Sequence, residues 1–583
     1  MIPVAEAETT ADLLEVCNLT IAYGIGTRAV TAVDDVSLRL RSREILAIVG
    51  ESGAGKSTLA SGLLGLADPP ARIVRGEVRL AGRAIDLDDE AAMRRIRGRR
   101  IGLVVQDTQA ALDPLCTVGR HLTETITTHL PVDRREARAR AIEALRSVGI
   151  TGPELRLGHY PHQFSGGMRQ RLVVALAICA KPELVIADEP TTNLDAPRKR
   201  QILDLLGALC RDHEMGLILV SHDIGLVGAV ADRVMVMRRG RIVEAGAAGD
   251  VLGNPMQPYT RELIRAVPPA RRRQRLLPRA EAPVAAEGSA SVALAKAWLV
   301  AGRRFEPSGL PLLELDEVTM TFVLRRSWLA SRRRSERAVD RVTLEIQPGE
   351  MFGLVGESGS GKSTLARIAS GLYQPVSGKV RFAGADLQAT LAGRGGLEVR
   401  RQVQMVFQDP FSSLDARWRV LDIIAEPIRL HGLTGGPAET RDVVRGLFGY
   451  VGLDAHASDR YPHQFSAGQR QRIALARALA ARPRFLICDE PTSALDVVSQ
   501  EIILRLLATL RQELGMTVLL ISHDLAVIRQ TCDRVAVMRA GRLCEIAATE
   551  TLFEHPQHPY TRELLALLPR DLPGSAGGGT AVG

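Results

Sequence analysis

At 583 residues, 46% of them hydrophobic and 24% charged, the chain is too long for one ordinary hydrophobic core and predicts two large units. The net charge of +9 is modest for this length, so we interpret the arginine clusters as solvated loop residues rather than as a surface that binds nucleic acid or lipid. No apolar run approaches the roughly 18 residues that a membrane helix needs, and the N-terminus lacks a signal-peptide pattern. The seven scattered cysteines form no CxxC pair, which argues against structural zinc, an iron–sulfur cluster and a disulfide framework. We expect a soluble cytoplasmic protein that does not itself form a pore.

Two long stretches of the chain repeat each other in the same order, and each ends on the text Pro-Tyr-Thr-Arg-Glu-Leu. The period far exceeds the roughly 20–50 residues of solenoid repeats, which indicates duplication of a whole domain. Apolar strands alternate with helical patterns in both, which is typical of an α/β fold with a mostly parallel sheet. The predicted organisation is an N-terminal tail at 1–12, a first domain at 13–268, a linker at 269–311 in which 290–300 can form a short helix, a second domain at 312–569 and a disordered glycine-rich tail at 570–583.

In each domain an apolar strand leads directly into a glycine-rich loop, GESGAGKS at 50–57 and GESGSGKS at 356–363. Glycines let backbone N–H groups curl around a phosphate, and the following helix directs its positive dipole end at it. The lysine supplies a cation to the β- and γ-phosphates, and the serine after it offers a hydroxyl to Mg²⁺. A simple glycine-rich turn is the alternative for one copy, but two copies in this context predict ATP-binding loops. The candidate ATP-binding residues are Gly50, Glu51, Ser52, Gly53, Ala54, Gly55, Lys56, Ser57 and Thr58, and Gly356, Glu357, Ser358, Gly359, Ser360, Gly361, Lys362, Ser363 and Thr364.

Two buried-strand patterns end in paired acids, Asp188-Glu189 and Asp489-Glu490. A buried strand tolerates carboxylates only where it emerges, which places them at the carboxyl edge of the sheet beside the phosphates. The aspartate is predicted to hold Mg²⁺, mostly through water, and the glutamate to polarise the attacking water. A strand that merely reaches solvent is the alternative, and the matched distance from each phosphate loop argues against it.

Four further polar residues follow apolar strands: Gln106, Gln408, His222 and His523. Spacing alone assigns the glutamines no role, and a satisfied structural histidine is the default for each histidine. Each histidine lies inside Ser-His-Asp, but three consecutive residues cannot adopt the geometry of a hydrolase triad.

The glycine-containing stretches FSGGM at 164–168 and FSAGQ at 465–469 each precede a basic helix. Serine and glycine at a helix N-terminus expose N–H groups that can bind phosphate. A simple helix cap would explain the serine, but not its recurrence with glycine and basic residues.

Together these motifs resemble the ATP-binding subunit of an ABC transporter with both nucleotide-binding domains fused in one chain. The resemblance implies two tandem P-loop ABC-type ATPase domains, each with a mostly parallel sheet core, an antiparallel β subdomain and a helical subdomain, and ATP and Mg²⁺ as cofactors. The resemblance implies that Gln106 and Gln408 sense Mg²⁺ and the membrane partner. It also implies that His222 and His523 contact the γ-phosphate. Tyr23 and, on a looser match, Phe322 correspond to the aromatic residue that stacks on adenine. The metal ligands implied are Ser57, Gln106, Asp188, Ser363, Gln408 and Asp489, the catalytic residues are Glu189, Glu490, His222 and His523, and the signature residues that bind ATP are Ser165, Gly166, Gly167, Ser466, Ala467 and Gly468.

The family's domains pack head to tail, so the resemblance implies composite sites. One site would join Lys56 and Glu189 with Ser466 and Gly468, and the other would join Lys362 and Glu490 with Ser165 and Gly167. Met168 replaces the usual signature glutamine and Ala467 a glycine. Since both domains keep their lysine, acids and histidine, we expect two hydrolytic sites.

The Pro-Tyr-Thr-Arg-Glu-Leu endings are similar to those of the dipeptide, oligopeptide and nickel importer group. That similarity implies two integral membrane permease subunits and an extracytoplasmic solute-binding protein as partners, with the chain peripheral at the cytoplasmic face of the plasma (inner) membrane. No contact with the transported solute and no nucleic acid are expected. Some members carry an iron–sulfur segment after this ending, but residues 268–282 contain no cysteine. The alternative is a soluble twin-ABC ATPase that acts on ribosomes or DNA, and the solute stays open among peptides, glutathione-like thiols, nickel chelates and metallophores.

Overall fold

A computed structural model describes residues 12–24, 29–67, 69–108, 110–192, 194–268, 290–301, 309–325, 334–409, 413–493, 495–566 and 568. The chain divides into two compact units at residue 268. The predicted tails at 1–12 and 570–583 lie almost wholly outside the described residues, and so does most of the predicted linker. Within that linker, the expected helix at Ala290–Val300 is present and belongs to the second unit.

The first unit contains two sheets. A six-stranded sheet has the strand order β10-β9-β3-β8-β7-β6, with all neighbours parallel except the β9–β10 hairpin, and a four-stranded antiparallel sheet has the order β2-β1-β4-β5. The strands are β1 Leu14–Tyr23, β2 Val30–Leu40, β3 Ile45–Val49, β4 Ala71–Leu80, β5 Arg83–Ile85, β6 Ile101–Val104, β7 Leu184–Asp188, β8 Gly216–Ser221, β9 Arg233–Arg238 and β10 Arg241–Ala247.

Burial follows the sheet type in this unit. Every residue of β3 is buried, as expected for a central parallel strand covered on both faces. From Val36 to Leu40, β2 alternates buried and exposed residues, which is the pattern of an antiparallel strand with one face in solvent.

The helices of the first unit mostly begin after a side chain that can cap them. Thr117, Asp133 and Asp195 each accept a hydrogen bond from a backbone N–H in the first turn. The helices are α1 Lys56–Gly62, α2 Glu90–Ile96, α3 Val118–His129, α4 Arg134–Ser147, α5 Pro153–Arg156, α6 Gly166–Ile178, α7 Ala196–Asp212, α8 Ile224–Val227, α9 Ala248–Gly253 and α10 Pro258–Arg265.

The second unit repeats this plan, with a six-stranded sheet of order β16-β17-β18-β13-β19-β20 and a four-stranded sheet of order β12-β11-β14-β15. Its strands are β11 Leu313–Arg325, β12 Arg334–Ile346, β13 Met351–Val355, β14 Ser377–Phe382, β15 Ala385–Asp386, β16 Val403–Val406, β17 Phe485–Asp489, β18 Thr517–Ile521, β19 Arg534–Arg539 and β20 Arg542–Ala548. Its helices are α11 Ala290–Val300, α12 Lys362–Ala369, α13 Leu387–Ala392, α14 Gly396–Gln402, α15 Val420–Leu430, α16 Pro437–Tyr450, α17 Ala467–Ala480, α18 Val497–Leu514, α19 Leu525–Thr531, α20 Thr549–Glu554 and α21 Pro559–Ala566.

Helix α11 has no counterpart among the described elements of the first unit. It packs against α16, and Ala295, Trp298 and Leu299 join the core around the helical part of the second unit. The Trp298 ring stacks on the Arg482 guanidinium, 3.4 Å from the ring centre. Part of the predicted linker is therefore a structural element of the second unit.

The predicted fold class is confirmed: each unit combines a mostly parallel sheet, an antiparallel sheet and a group of helices. In the first unit, the parallel strands β3, β6, β7 and β8 all end at one edge of their sheet. The phosphate loop, Gln106, Asp188-Glu189 and His222 follow those ends. Among the described residues no helix is both long and apolar enough to cross a membrane.

Candidate nucleotide-binding sites

The phosphate loop of the first unit connects β3 to α1 through glycines that no other residue could replace without strain. Gly50 has a φ of 156° and Gly55 a φ of 100°. A Cβ at Gly50 would lie 2.2 Å from the Met237 carbonyl oxygen, and one at Gly55 would lie 2.2 Å from the Ala32 carbonyl oxygen. The loop is therefore pressed against neighbouring strands, which fixes its curl. The second unit has the same conformation at Gly356 and Gly361.

The loop lysine is buried and points back into its own loop. Lys56 is 4% exposed, and its Nζ donates to the carbonyl oxygens of Gly50, at 2.8 Å, and Glu51, at 2.9 Å. Lys362 is 5% exposed and donates to the corresponding carbonyls of Gly356 and Glu357, both at 2.8 Å. The ammonium group is thus held against the carbonyl oxygens of the first two loop residues.

Two of the three predicted magnesium ligands lie together in each unit, while the third, Gln106 or Gln408, contacts the neighbouring glutamate. Ser57 Oγ donates to Asp188 Oδ1 at 3.0 Å, and Ser363 Oγ donates to Asp489 Oδ1 at 3.1 Å. Burial raises the pKa of both aspartates above the ordinary value. A hydroxyl and a carboxylate oxygen are hard ligands of the type that Mg²⁺ takes, so the residues fit this ion.

Three side chains converge on the carboxylate of Glu189. Gln106 Nε2 donates to Oε2 at 3.0 Å, Thr192 Oγ1 donates to Oε2 at 3.1 Å, and His222 Nδ1 lies 3.3 Å from Oε1. The strand-end glutamine and histidine, which spacing alone left without a role, are therefore brought onto the predicted catalytic acid. Thr192 was missed by the sequence analysis, and its place three residues after Glu189 is the signal that could have found it.

The second unit repeats this cluster with one change. Gln408 Nε2 donates to Glu490 Oε2 at 3.0 Å, and His523 Nδ1 lies 3.1 Å from the same oxygen. Ser493 replaces the threonine, and its hydroxyl donates to the backbone carbonyl of Glu490 at 3.1 Å. Thr192 therefore supports the side chain of Glu189, whereas Ser493, at the same position in the second unit, contacts the backbone of Glu490.

Both glutamates have an unusual backbone, with a φ of 47° in the left-handed region. The N–H of Glu189 donates to the Val220 carbonyl, and that of Glu490 to the Ile521 carbonyl, each at 3.0 Å. Such strain in a non-glycine residue is typical of functional positions, where the surrounding structure holds it in place.

Burial and charge act in opposite directions on Glu189. Burial raises its pKa, but the hydrogen bond and charge of His222, the charge of Lys56 and the hydrogen bond of Thr192 together outweigh that effect and bring the pKa down to about 2. The carboxylate is therefore ionised near neutral pH and able to accept a hydrogen bond from water.

The signature serines cap the helices that follow them. Ser165 Oγ accepts from the Met168 N–H at 3.4 Å, and Ser466 Oγ accepts from the Gln469 N–H at 3.3 Å. The Gln469 side chain also accepts from the Ser466 N–H at 2.9 Å, which completes a capping box. Met168 has no side-chain group able to do this, so its departure from the family pattern removes one bond.

The glycines of the signature lie close to the helix that follows the acid pair. A Cβ at Gly468 would meet the Ser499 Oγ at 2.7 Å, and one at Gly167 would meet the Arg198 Cδ at 3.1 Å. Asp195 begins the helix of the first unit as its N-cap residue. A side chain at Gly468 would therefore clash with Ser499, while one at Gly167 would require only a small shift of the Arg198 side chain.

The two predicted adenine-stacking residues have different surroundings. The Tyr23 hydroxyl lies 3.4 Å from Thr58 Oγ1, next to the phosphate loop. Phe322 has no hydroxyl, and its ring instead meets the edge of Tyr373, with centroids 5.9 Å apart. Tyr373 was not predicted as a site residue, and the equivalent residue of the first unit is Ala67.

Comparisons with known proteins identify the family of both repeated domains. Residues 33–192 and 339–493 match the ABC transporter family, and residues 243–292 and 544–578 match the oligopeptide/dipeptide transporter C-terminal region. The glutathione import ATP-binding protein GsiA of Salmonella typhimurium (strain LT2) is 41% identical over 97% of this chain and 91% of its own length. Its counterpart in Escherichia coli O157:H7 is 40% identical over the same shares. A solved bacterial ABC transporter cassette, MJ0796, has 28% identity and a TM-score of 0.36, covering 40% of this chain and 98% of its own.

The duplicated phosphate loop, acid pair and signature, together with the match to both domains, lead to one conclusion. The chain belongs to the ABC transporter family, as an ATPase with two ATP-binding domains and the C-terminal region of the oligopeptide/dipeptide transporters.

Proposed function

We propose that this chain is the ATP-hydrolysing subunit of an importer for small peptides of the glutathione class. The observation that carries the proposal is the similarity to glutathione import ATP-binding proteins along 97% of the chain. Two complete acid–glutamine–histidine clusters support hydrolysis at both sites. Peptides fit this evidence better than nickel or metal chelates, although the solute would be selected by partner proteins.

The residues described above have distinct roles in this proposal. Lys56 and the loop N–H groups bind the phosphates of ATP, and Tyr23 supports the base. Ser57 and Asp188 would hold Mg²⁺, which would neutralise phosphate charge. The corresponding residues of the second domain are Lys362, Phe322, Ser363 and Asp489.

The glutamate and its neighbours carry out the chemical step. Glu189 accepts a hydrogen bond from the attacking water, which orients the water towards the γ-phosphate. Gln106 and His222 hold the carboxylate through the two contacts described, at 3.0 and 3.3 Å. Since both contact the same carboxylate, a shift of either side chain would alter the position of the base.

The proposed partners are two membrane permeases and an extracytoplasmic solute-binding protein, with the chain peripheral at the cytoplasmic face of the membrane. An uptake experiment tests the whole proposal. The chain is expressed with its neighbouring permeases and binding protein in cells that lack their own glutathione importer. Uptake of labelled glutathione should exceed that of a chain carrying both Glu189→Gln and Glu490→Gln.

Co-purification separates this proposal from the rival function. The tagged chain should recover integral membrane proteins, and those partners should stimulate its ATP hydrolysis. Recovery of ribosomes or DNA without any membrane protein would favour the soluble twin-ABC ATPase.

A further inference from the structure

The shared ending Pro-Tyr-Thr-Arg-Glu-Leu forms a helix beside the phosphate loop in both units. In the first unit it opens α10, Pro258–Arg265, and in the second it opens α21, Pro559–Ala566. The tyrosine of each copy is almost fully buried, with 6% of Tyr259 and 1% of Tyr560 exposed. A large side chain with a polar tip needs a hydrogen-bond partner when it is buried this deeply.

That partner is the second residue of the phosphate loop. The N–H of Glu51 donates to the Tyr259 hydroxyl at 3.2 Å, and the N–H of Glu357 donates to the Tyr560 hydroxyl at 3.2 Å. The backbone carbonyl oxygen of each glutamate accepts a hydrogen bond from the Nζ of the loop lysine, at 2.9 Å for Lys56 and 2.8 Å for Lys362. One residue therefore connects the tyrosine to the phosphate-binding lysine.

The helix that carries the tyrosine is itself fixed from several directions. The Glu244 carboxylate accepts from the N–H groups of Met256 and Gln257, at 2.7 and 3.1 Å, just before the helix begins. Arg261 donates to the Met256 carbonyl at 2.8 Å, which anchors the same turn. The second unit repeats this arrangement with Glu545 and Arg562.

An arginine from the central sheet fixes the tyrosine ring. The Arg238 guanidinium lies 4.4 Å from the Tyr259 ring centre, and that of Arg539 lies 4.5 Å from the Tyr560 ring centre. Burial raises the pKa of Tyr560 to about 12, so its hydroxyl stays neutral at physiological pH. The tyrosine is held on its ring face and along its helix, and its hydroxyl tip contacts the loop.

We propose that Tyr259 and Tyr560 are positioning residues for ATP binding, each holding the backbone of Glu51 or Glu357 so that the loop lysine faces the phosphates. The inference rests on the proposed function, since it assumes that these loops bind ATP. It assigns a role to the ending that the two domains share, whose text otherwise marks only the importer group. In this role the tyrosine acts on the backbone of the loop.

The test is ATP binding by the purified full chain carrying Tyr259→Phe, with Lys362→Ala present so that only the first site is measured. The Phe variant keeps the ring, its burial and the arginine contact, and it removes the hydroxyl that accepts a hydrogen bond from the Glu51 N–H. A net contribution of one hydrogen bond corresponds to an affinity about three- to tenfold weaker. The loop is held equally before and during hydrolysis, so KM for ATP should rise while kcat changes less than about twofold.

Arg261→Gln is the matched control, because it loosens the same helix without touching the loop. It should lower the melting temperature and weaken ATP binding less than Tyr259→Phe does, because it keeps the hydroxyl that contacts the Glu51 N–H. The reciprocal experiment uses Tyr560→Phe with Lys56→Ala, and Arg562→Gln as its control. Equal losses of affinity in the tyrosine and arginine variants would overturn the proposal in favour of a purely structural helix.

Wild-type affinity in Tyr259→Phe would also overturn it. The binding assay needs no permease or solute, so a failed uptake experiment leaves its result intact. Absence of ATP binding by the wild-type chain would overturn both the inference and the proposed function.

Discussion

At the scale of single residues, the geometry around Glu189 and Glu490 explains why a glutamine and a histidine far apart in sequence belong to one site. Gln106 and His222 follow different strands, β6 and β8, and both reach the acid that follows β7, which lies between them. The strand patterns predict where each residue emerges. They cannot predict which oxygen each contacts, because that depends on strand order, which is a property of the whole sheet.

The residue-scale prediction concerns the two glutamates. Glu189→Gln and Glu490→Gln should each reduce ATP hydrolysis sharply, because an amide is too weak a base to take a proton from the attacking water. The double variant should lose at least about 100-fold of the activity. ATP affinity should not fall, because no phosphate contact is removed. Steady-state hydrolysis and equilibrium binding of the assembled complex measure both. Wild-type turnover in both single variants would refute the assignment.

At the scale of elements, the phosphate loops, acid pairs and signature helices could be located from sequence because each is a short motif with a local physical reason. Helix α11 shows where this fails. Its position at 290–300 could be predicted, but its alanine-rich sequence does not indicate which face is buried or against what. Its packing on α16 is a tertiary contact between segments more than 130 residues apart. The contact of Tyr373 with Phe322 escaped prediction for the same reason.

The element-scale prediction is that α11 stabilises the second unit. Trp298 is 5% exposed within the core, so Trp298→Ala should cost about 3–5 kcal/mol of that unit's stability. Trp298→Phe should cost much less, since it keeps an aromatic ring and the buried indole Nε1 has no hydrogen-bond partner among the described residues. Hydrogen exchange measured by peptide should rise throughout 313–566 in the alanine variant. Peptides of the first unit serve as the internal control, and faster exchange limited to α11 itself would contradict the prediction.

At the scale of the whole molecule, the two units carry the same contacts with nearly equal distances and differ in a few supporting residues. The serine–aspartate pairs are 3.0 and 3.1 Å apart, and the glutamine–glutamate pairs are both 3.0 Å apart. Met168 in one signature, Ser493 beside one glutamate and Tyr373 beside one aromatic residue are among the differences. Two hydrolytic sites with unequal rates are therefore expected.

The pairing of Lys56 with Ser466 across the two domains stays a prediction from the family resemblance. Cysteines introduced beside Ser57 and Ser466 should crosslink more efficiently when ATP is added to the Glu→Gln double variant, because ATP binding without hydrolysis favours the closed state. Replacement of the half-exposed native Cys17, Cys116 and Cys544 removes competing thiols. Crosslinking from Ser57 to the region of Ser165 alone would show that the domains do not pair in this way.

The position of Trp298 in the second unit has an optical consequence. No tryptophan occurs before residue 298, and all three, at 298, 328 and 418, follow the first ATPase domain. The intrinsic tryptophan emission of the chain therefore reports on its second half alone. A change in this emission on adding nucleotide would report a change around a tryptophan of the second half. The first domain has no tryptophan of its own to report nucleotide binding directly.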